Sequence, residues 1–191
     1  MKVDRFYHSF RLLLCRTPRK RAAYLKKNDI LGGIGENCFW GPWLLPLYPK
    51  MIVLHDNVHV HRSTRILTHD MLNRFFTMCN PDVDFGHREK LGCVELMDNV
   101  YLAMNTIVMP NVRINKNCIV SAGSVVSSDI PENSMASGIP AKVVGRFDMF
   151  MALRRMGKAQ TYKFKNQELP DSIAKAEWEK FLKRHQQEDK A

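Results

Sequence analysis

The 191-residue sequence has no apolar run long enough to cross a bilayer. Its apolar segment at 12–15 lies between Arg11 and Arg16, so we expect no signal segment there. Five cysteines form an odd set without a C-x-x-C pair, which argues against a secreted, disulfide-stapled domain. These absences predict reduced thiols and a cytoplasmic protein.

Acidic residues are scarce at both ends of the chain, whose net charge is +10. Residues 1–29 hold nine Lys or Arg against two acids, and residues 142–191 hold twelve against seven. Such ends suit an acidic ligand such as a phosphorylated cofactor, an anionic membrane surface, or solubility alone. Nucleic acid is not favoured as a partner, because the basic ends carry neither stacked aromatics nor a known binding module.

An aliphatic or small residue returns at every sixth position through the middle of the chain. One register is Val94, Val100, Thr106, Val112, Cys118, Ser124 and Ile130, and a second is Leu96, Leu102, Val108, Ile114, Val120 and Val126. Neither a helix, with a period of about 3.6, nor a lone strand, with a period of about 2, gives this repeat. The pattern predicts a mainly β fold, in which short parallel strands stack as a solenoid.

The same double register occurs earlier, at residues 52–66, and then stops. Leu54 and Leu96 are 42 residues apart, so whole hexads separate the two arrays. We therefore predict one solenoid domain at 30–146 with a loop inserted at 67–93. The remaining segments are a basic helical segment at 1–29 and a helical segment at 147–191.

Apolar positions such as Phe6, Phe10 and Leu13 predict one or two basic amphipathic helices at 4–27, interrupted at Pro18. We expect them to cap the solenoid, and contact of residues 1–27 with the inner, anionic membrane surface is an open alternative. Near the other end, helices are expected at 148–157 and 171–187.

Residues 100–145 include N-C-I-V-S-A-G-S-V-V-S-S-D and G-I-P-A-K, and residues 64–70 read T-R-I-L-T-H-D. These strings closely resemble the hexapeptide-repeat acyltransferases, and among them the sugar and surface-polysaccharide O-acetyltransferases. The resemblance covers about residues 34–146. It implies a left-handed parallel β-helix with three hexads per coil, acetyl-CoA as co-substrate, and a homotrimer with active sites between subunits.

Several hexads depart from the glycine that this family prefers. Asparagine recurs instead at positions where the backbone can turn with positive φ, namely Asn57, Asn99, Asn105, Asn111 and Asn117. We predict that these residues turn the coils and that stacked members hydrogen-bond to one another.

Acyl transfer from a thioester to a hydroxyl needs a base, and histidine suits this role near neutral pH. By resemblance, T-H-D carries the catalytic histidine, so we predict that His69 is the general base and returns the proton to the coenzyme A thiolate. The alternative is a structural histidine at the base of the loop. Asp70 is expected to orient or bind a nearby group rather than the imidazole ring.

The family pattern, carried over position by position, assigns the cofactor residues. They are Ala103, Met104, Ala122, Gly123, Ser127, Ser128 and Lys142. The small residues would let the pantetheine arm approach the backbone, and Lys142 would face the phosphates. A backbone amide near Ala103 or Met104 is the expected oxyanion donor. The family often has basic residues where Ser128 and Gly145 stand here, and Arg146 is a possible substitute.

Acceptor recognition is expected in the inserted loop, with Asp70, Phe75 and His87 as the substrate-binding candidates. Further candidates are Phe76, Asp82 and Asp84, together with Trp40 and Trp43. The loop aromatics could instead pack on a neighbouring subunit, and the tryptophans could belong to the core.

Five histidines invite comparison with the β-helix carbonic anhydrases, which hold zinc between coils: His55, His59, His61, His69 and His87. Only positions 18 apart stack on one face of a three-sided coil, and the loop interrupts the single such pair, His69 and His87. We therefore expect no metal. The predicted function is acetyl transfer from acetyl-CoA to a hydroxyl of a sugar or polysaccharide precursor. A small-molecule acceptor, such as an antibiotic or serine, and a non-catalytic scaffold remain alternatives.

Overall fold

The structure, a computed structural model, describes residues 4–86, 89–156 and 169–188. The chain divides into two compact units, Met1–Leu153 and Arg154–Ala191. Within the described ranges, no helix is both long and apolar enough to span a membrane.

Two short helices open the first unit, α1 (Arg5–Leu14) and α2 (Pro18–Lys27). Asp4 caps α1 and Thr17 caps α2, and each accepts a hydrogen bond from a first-turn backbone N–H. Leu12 and Leu25 are fully buried. Arg21 ties the helices to the first coil, because its guanidinium donates to the carbonyls of Leu12 and Gly41, each at 3.0 Å. Two helices thus occur where one or two were predicted, and they pack against the first coil.

Short strands make up the body of this unit. They are β1 (Gly33–Ile34), β2 (Phe39–Trp40), β3 (Ile52–Leu54), β4 (His59–Val60), β5 (Arg65–Ile66), β6 (His69–Asp70), β7 (Lys90–Leu91), β8 (Val94–Leu96), β9 (Val100–Leu102), β10 (Ile107–Val108), β11 (Val112–Ile114), β12 (Cys118–Val120), β13 (Val125–Val126), β14 (Ser134–Gly138) and β15 (Ala141–Arg146). A short 3₁₀ turn at Pro49–Met51 leads into β3.

Within the described residues, the coil strands form three sheets, ordered β1-β3-β8-β11, β2-β4-β9-β12-β14-β15 and β5-β10-β13. All their pairings are parallel except that between β14 and β15, which form an antiparallel hairpin. Val112 pairs with Val94, so three hexads complete one coil. Leu54 pairs with Leu96 across the insertion. The predicted stacking of short parallel strands and the common register of the two arrays are confirmed.

Both predicted registers, from Val94 to Ile130 and from Leu96 to Val126, are buried throughout. Where a buried register position carries a side-chain hydroxyl, that hydroxyl forms a hydrogen bond within the protein. Thr106 Oγ1 donates to the Ala103 carbonyl at 2.9 Å, and Ser124 Oγ accepts from the Gly138 N–H at 3.2 Å. The core therefore accepts small polar side chains without leaving them unpaired.

The predicted asparagine turns are confirmed, since Asn57, Asn99, Asn105, Asn111 and Asn117 all have φ between 56° and 60°. Three of them form a ladder along one edge of the solenoid. Asn57 Nδ2 donates to Asn99 Oδ1 at 2.9 Å, and Asn99 Nδ2 donates to Asn117 Oδ1 at 2.8 Å. Asparagine thus supplies both the left-handed turn and a bond between coils.

The insertion is more regular than the predicted loop. It contains β6, the helix α3 (Leu72–Cys79) and β7, and β6 pairs with β7 in antiparallel fashion. Phe76 lies between Phe75 and Phe85, with ring centroids at 5.9 and 5.6 Å. The hexad pattern alone missed this element, because its aromatic residues pack on one another rather than into the coil core.

After β15 comes the helix α4 (Phe147–Met156), and the second unit contains the helix α5 (Asp171–Glu188). These helices confirm the two that were expected near 148–157 and 171–187. In α5, Trp178 and Phe181 meet edge to face with ring centroids 5.4 Å apart.

Candidate active site

His69 lies on β6, where the first array of coils ends and the insertion begins. Its backbone pairs with Leu91 of β7, and the preceding Thr68 is anchored on both sides. The Thr68 hydroxyl donates to the Leu47 carbonyl, and the Thr68 carbonyl accepts from the Gly92 N–H at 2.9 Å. His69 is therefore held by ladder bonds at the base of the insertion rather than on a free loop.

The two imidazole nitrogens of His69 differ in their surroundings. Nδ1 is buried and has no hydrogen-bond partner among the described residues. The ring meets Tyr48 edge to face, with centroids 5.6 Å apart. Because Nδ1 is enclosed, Nε2 is the nitrogen that can meet a substrate.

Tyr48 is a site residue that the sequence did not reveal. Its backbone has φ 53°, a left-handed conformation that a tyrosine rarely adopts. Its hydroxyl donates to Glu89 Oε2 at 2.5 Å, and this bond raises the pKa of the Tyr48 phenol. Tyr48 thereby joins the proline-rich segment before β3 to Glu89 at the end of the insertion. The same side chain contacts the His69 ring.

His69 opens onto a groove of about 710 Å³, which we call the His69 groove. Its walls are residues 42–47 and 61–69, with Arg5, Trp40, Met104 and Asn105. Trp43 and Leu44 are partly exposed and give one wall an apolar surface, whereas Trp40 is buried in the core. Of the two tryptophans considered for sugar binding, Trp43 is thus the accessible one.

Met104 connects this groove to an edge of the solenoid formed by the turns at 61–63, 103–105 and 121–123, which we call the Met104 edge. The turns stack directly, since the Asn105 N–H donates to Ser63 Oγ at 3.0 Å and the Gly123 N–H donates to the Met104 carbonyl at 2.8 Å. Gly123 has φ 73° and open space where a Cβ would stand. The edge is therefore open at Gly123.

The two backbone amides considered as oxyanion donors differ in this structure. The Ala103 N–H donates to the Val120 carbonyl at 3.0 Å and is part of the coil ladder. Of these two amides, only that of Met104 has no backbone acceptor among the described residues, and Met104 lines the groove.

The other predicted cofactor residues lie outside the His69 groove. Ala122 and Gly123 are exposed on the Met104 edge, and Ser127 and Ser128 are exposed beyond the far end of β13. Lys142 is exposed on β15 and pairs with Ser137 of β14. These assignments remain predictions.

Arg146, considered as a second phosphate-binding cation, is already paired. Its guanidinium donates to both carboxylate oxygens of Asp148, at 3.0 and 2.5 Å, and this bond lowers the pKa of Asp148 well below its ordinary value. Lys142 has no such salt bridge among the described residues. Of the two, Lys142 is the cation free to bind a phosphate.

The acceptor candidates on the insertion do not line the His69 groove in the described part of the chain. Asp70 accepts the Leu72 N–H at 3.1 Å at the start of α3, and Asp84 accepts the Gly86 N–H at 2.7 Å within a turn. Phe75 is 57% exposed and contacts Phe76. His87 lies outside the described residues. Roles for Asp70, Phe75 and His87 remain predictions.

Three of the histidines compared with a zinc site have other partners. His55 Nε2 lies 2.9 Å from Glu95 Oε1, and His61 Nδ1 lies 3.3 Å from Ser63 Oγ. His59 stacks between Phe39 and Tyr101, and burial lowers its pKa. Across the described ranges, no group of three His, Cys, Asp or Glu residues is placed to hold a metal ion.

Three arginines in the groove, Arg5, Arg62 and Arg65, were also missed in the sequence. Arg62 and Arg65 stand in the hexad immediately before T-H-D, which is the one signal that could have identified them. Arg5 arrives from α1, and its position depends on packing between distant segments. Its Nε donates to the Leu45 carbonyl at 2.8 Å.

Comparison with known proteins identifies a family and relatives of this chain. Residues 94–128 match the model of the bacterial transferase hexapeptide family (six repeats). A galactoside O-acetyltransferase of Lactococcus lactis is 32% identical over 144 residues, which are 66% of this chain and 67% of that protein.

Two solved structures share the fold. A galactoside acetyltransferase in complex with coenzyme A superposes with a TM-score of 0.57 at 18% identity, covering 87% of this chain and 88% of that one. A hexapeptide-repeat acetyltransferase of Vibrio cholerae, complexed with acetyl coenzyme A, gives a TM-score of 0.55 at 19% identity, covering 74% and 86%. The 32% identity to the Lactococcus lactis protein, over 67% of that protein, shows that the chain belongs to the hexapeptide-repeat acyltransferase family, as its sequence predicted.

Proposed function

We propose that this protein transfers an acetyl group from acetyl-CoA to a hydroxyl of a sugar or polysaccharide precursor. The observation that carries the proposal is that His69 and Met104 line one groove, which connects a histidine to the open Met104 edge. The name of the Lactococcus lactis relative, a galactoside O-acetyltransferase, supports a sugar hydroxyl as acceptor.

In the proposed reaction, His69 Nε2 removes the proton of the acceptor hydroxyl as its oxygen attacks the thioester carbonyl. The C–S bond breaks, and the imidazolium returns the proton to the coenzyme A thiolate. The acetyl group leaves on the acceptor oxygen, so no proton is gained or lost overall. The Met104 N–H is the proposed donor to the negative carbonyl oxygen, because the Ala103 and Asn105 N–H groups of this turn already donate to Val120 and Ser63.

We further propose that the coils wind left-handed and that the active site is completed between subunits of a homotrimer. In one chain, Ala122, Ser127 and Lys142 lie outside the His69 groove, which is consistent with coenzyme A running between neighbouring copies. The five cysteines are all free, in keeping with the cytoplasmic location proposed from the sequence.

Acetyl-CoA titration of the purified protein tests the donor first, because it needs no knowledge of the acceptor. We expect about one site per subunit, and then release of free coenzyme A when a panel of sugars is added. Transfer to serine or an antibiotic but to no sugar would favour the small-molecule alternative. A folded protein that binds no acetyl-CoA would favour the scaffold alternative.

For the cofactor phosphates, Lys142→Ala should weaken acetyl-CoA binding by about threefold to fivefold, the worth of one exposed charge contact. The loss should shrink as salt is added, because screening weakens the contact in the native protein. Calorimetry at low and high salt measures both effects. Lys116→Ala is the matched control, since Lys116 is half exposed and outside the groove. Equal affinities of the native and Lys142→Ala proteins at every salt concentration would remove Lys142 from the site.

We also propose that α1 binds an anionic membrane surface. Its outer face carries Phe6, Phe10 and Leu13, which are 80%, 59% and 51% exposed, and its inner face buries Ser9 and Leu12. The basic residues of 1–29 surround this apolar face, and that combination suits anionic lipid rather than a neutral surface.

The membrane proposal predicts that the protein sediments with vesicles containing phosphatidylserine and not with vesicles of phosphatidylcholine alone. The double change Phe6→Ser and Phe10→Ser should lower the affinity about tenfold or more, because it removes exposed apolar area. Circular dichroism checks that the helices remain. Equal binding of the native protein to both vesicle types would contradict the proposal. A double variant that no longer forms trimers but still binds the vesicles would also contradict it.

A further inference from the structure

The His69 groove has a strongly one-sided charge. Arg5, Arg62 and Arg65 line it, together with His61 and His69, and no lining residue among those described is an acid. A groove with several cations and low-dielectric walls raises the local concentration of anions.

Two of these arginines are available to a ligand. Arg62 and Arg65 are exposed, and neither forms a salt bridge among the described residues. Two other arginines of the first unit are paired with carboxylates. Arg113 Nε donates to Glu95 Oε2 at 2.7 Å, and Arg146 holds Asp148. Arg62 and Arg65 thus line the same groove as His69 without a carboxylate partner among the described residues.

The coil geometry fixes where these groups stand. Arg65 alternates with the buried Ile66 on β5, so its side chain points outward from the sheet. Arg62 lies in the turn before β5, next to Ser63, whose Oγ accepts the Asn105 N–H. Both arginines therefore line the groove onto which His69 opens.

Arginine binds carboxylate and phosphate with two parallel N–H donors, which makes it the side chain suited to planar or tetrahedral anions. We propose that the acceptor is an anionic sugar, whose carboxylate or phosphate is held by Arg62 and Arg65 while its hydroxyl meets His69. This inference rests on the proposed acetyl transfer and narrows its substrate class.

Acetyl-CoA also carries phosphates, so the same cations could serve the donor. A kinetic experiment distinguishes an acidic acceptor from coenzyme A as the ligand of the arginines. If the arginines hold the acceptor, their loss raises the KM for the acidic acceptor. If they hold coenzyme A, their loss weakens acetyl-CoA binding and affects all acceptors alike.

The test compares matched acidic and neutral sugars as acceptors for the full chain: glucuronate, galacturonate and glucose 6-phosphate against glucose and galactose. The double variant Arg62→Gln and Arg65→Gln is measured beside Lys116→Gln, which removes one positive charge outside the groove. Acetyl-CoA affinity is titrated for each protein, and circular dichroism monitors folding.

We expect kcat/KM to be at least tenfold higher for an acidic sugar than for its neutral match, and the double variant to abolish this preference. Its acetyl-CoA affinity should be unchanged, and Lys116→Gln should behave as the native protein does.

Three results would overturn the inference. One is transfer to neutral sugars as fast as to acidic ones, which leaves the proposed acetyl transfer intact. Another is a protein that binds acetyl-CoA but acetylates no acidic sugar. The third is a double variant that loses acetyl-CoA affinity and keeps its acceptor preference. A protein that binds no acetyl-CoA would instead remove the proposed function itself.

Discussion

His69→Ala should lower kcat by about a hundredfold or more, because a general base contributes two to four orders of magnitude to proton transfer. The backbone bonds that hold β6 come from Thr68, Leu91 and Gly92 and do not involve the imidazole. We therefore expect the variant to keep its fold and its acetyl-CoA affinity. Initial rates with saturating acetyl-CoA, with calorimetry as the binding check, measure the effect.

His61→Ala is the matched control, since His61 also lines the groove but contacts Ser63 instead of Tyr48. We expect its kcat to change little, because loss of a contact that binds the ground state and the transition state alike raises KM and leaves kcat unchanged. If His69→Ala turned over at a rate close to that of the native protein, the mechanism proposed here would be wrong. If His61→Ala were as slow as His69→Ala, the assignment of the general base to His69 would be wrong.

The solenoid was predictable because its signal is local and repeated. Each buried position, such as Val100 or Val120, is set by a spacing of six residues, and five of the turns carry an asparagine at the same place in the hexad. Even the break could be assigned, since a separation of whole hexads between Leu54 and Leu96 preserves the register across it. A short-period repeat thus determines which strands pair without knowledge of the rest of the chain.

Among the residues that line the His69 groove, sequence motifs pointed to only a few. His69 was assigned from T-H-D, but Tyr48 and Arg5 belong to segments that reach the groove through long-range packing. Their neighbours in sequence give no periodic signal, because residues 42–48 are an irregular, proline-rich stretch. Arg62 and Arg65 were overlooked for another reason: exposed cations on a solenoid look like solvated surface until the lining of the groove shows that no acid accompanies them.

The second large effect concerns stability, at the centre of the solenoid. Leu102 is completely buried on β9, and it pairs with Val60 of β4 on one side and Val120 of β12 on the other. Leu102→Ala should reduce the free energy of unfolding by about 2–5 kcal/mol, because it removes a buried side chain and leaves a cavity between two coils. Denaturant unfolding at fixed protein concentration measures the loss, since assembly adds its own stability.

Leu153 on α4, which is 65% exposed, provides the matched Leu→Ala control, and its loss should stay within about 0.5 kcal/mol. In a stack of repeats, each coil contacts only its neighbours, so a cavity at Leu102 weakens the coupling between the coils on either side of it. The insertion and the Tyr48–His69 contact lie on the N-terminal side of that junction, whereas the β14–β15 hairpin with Lys142 lies on the other side. Leu102→Ala should therefore broaden the unfolding transition as well as shift it. Equal losses of unfolding free energy for Leu102→Ala and Leu153→Ala would mean that the buried registers do not hold the coils together.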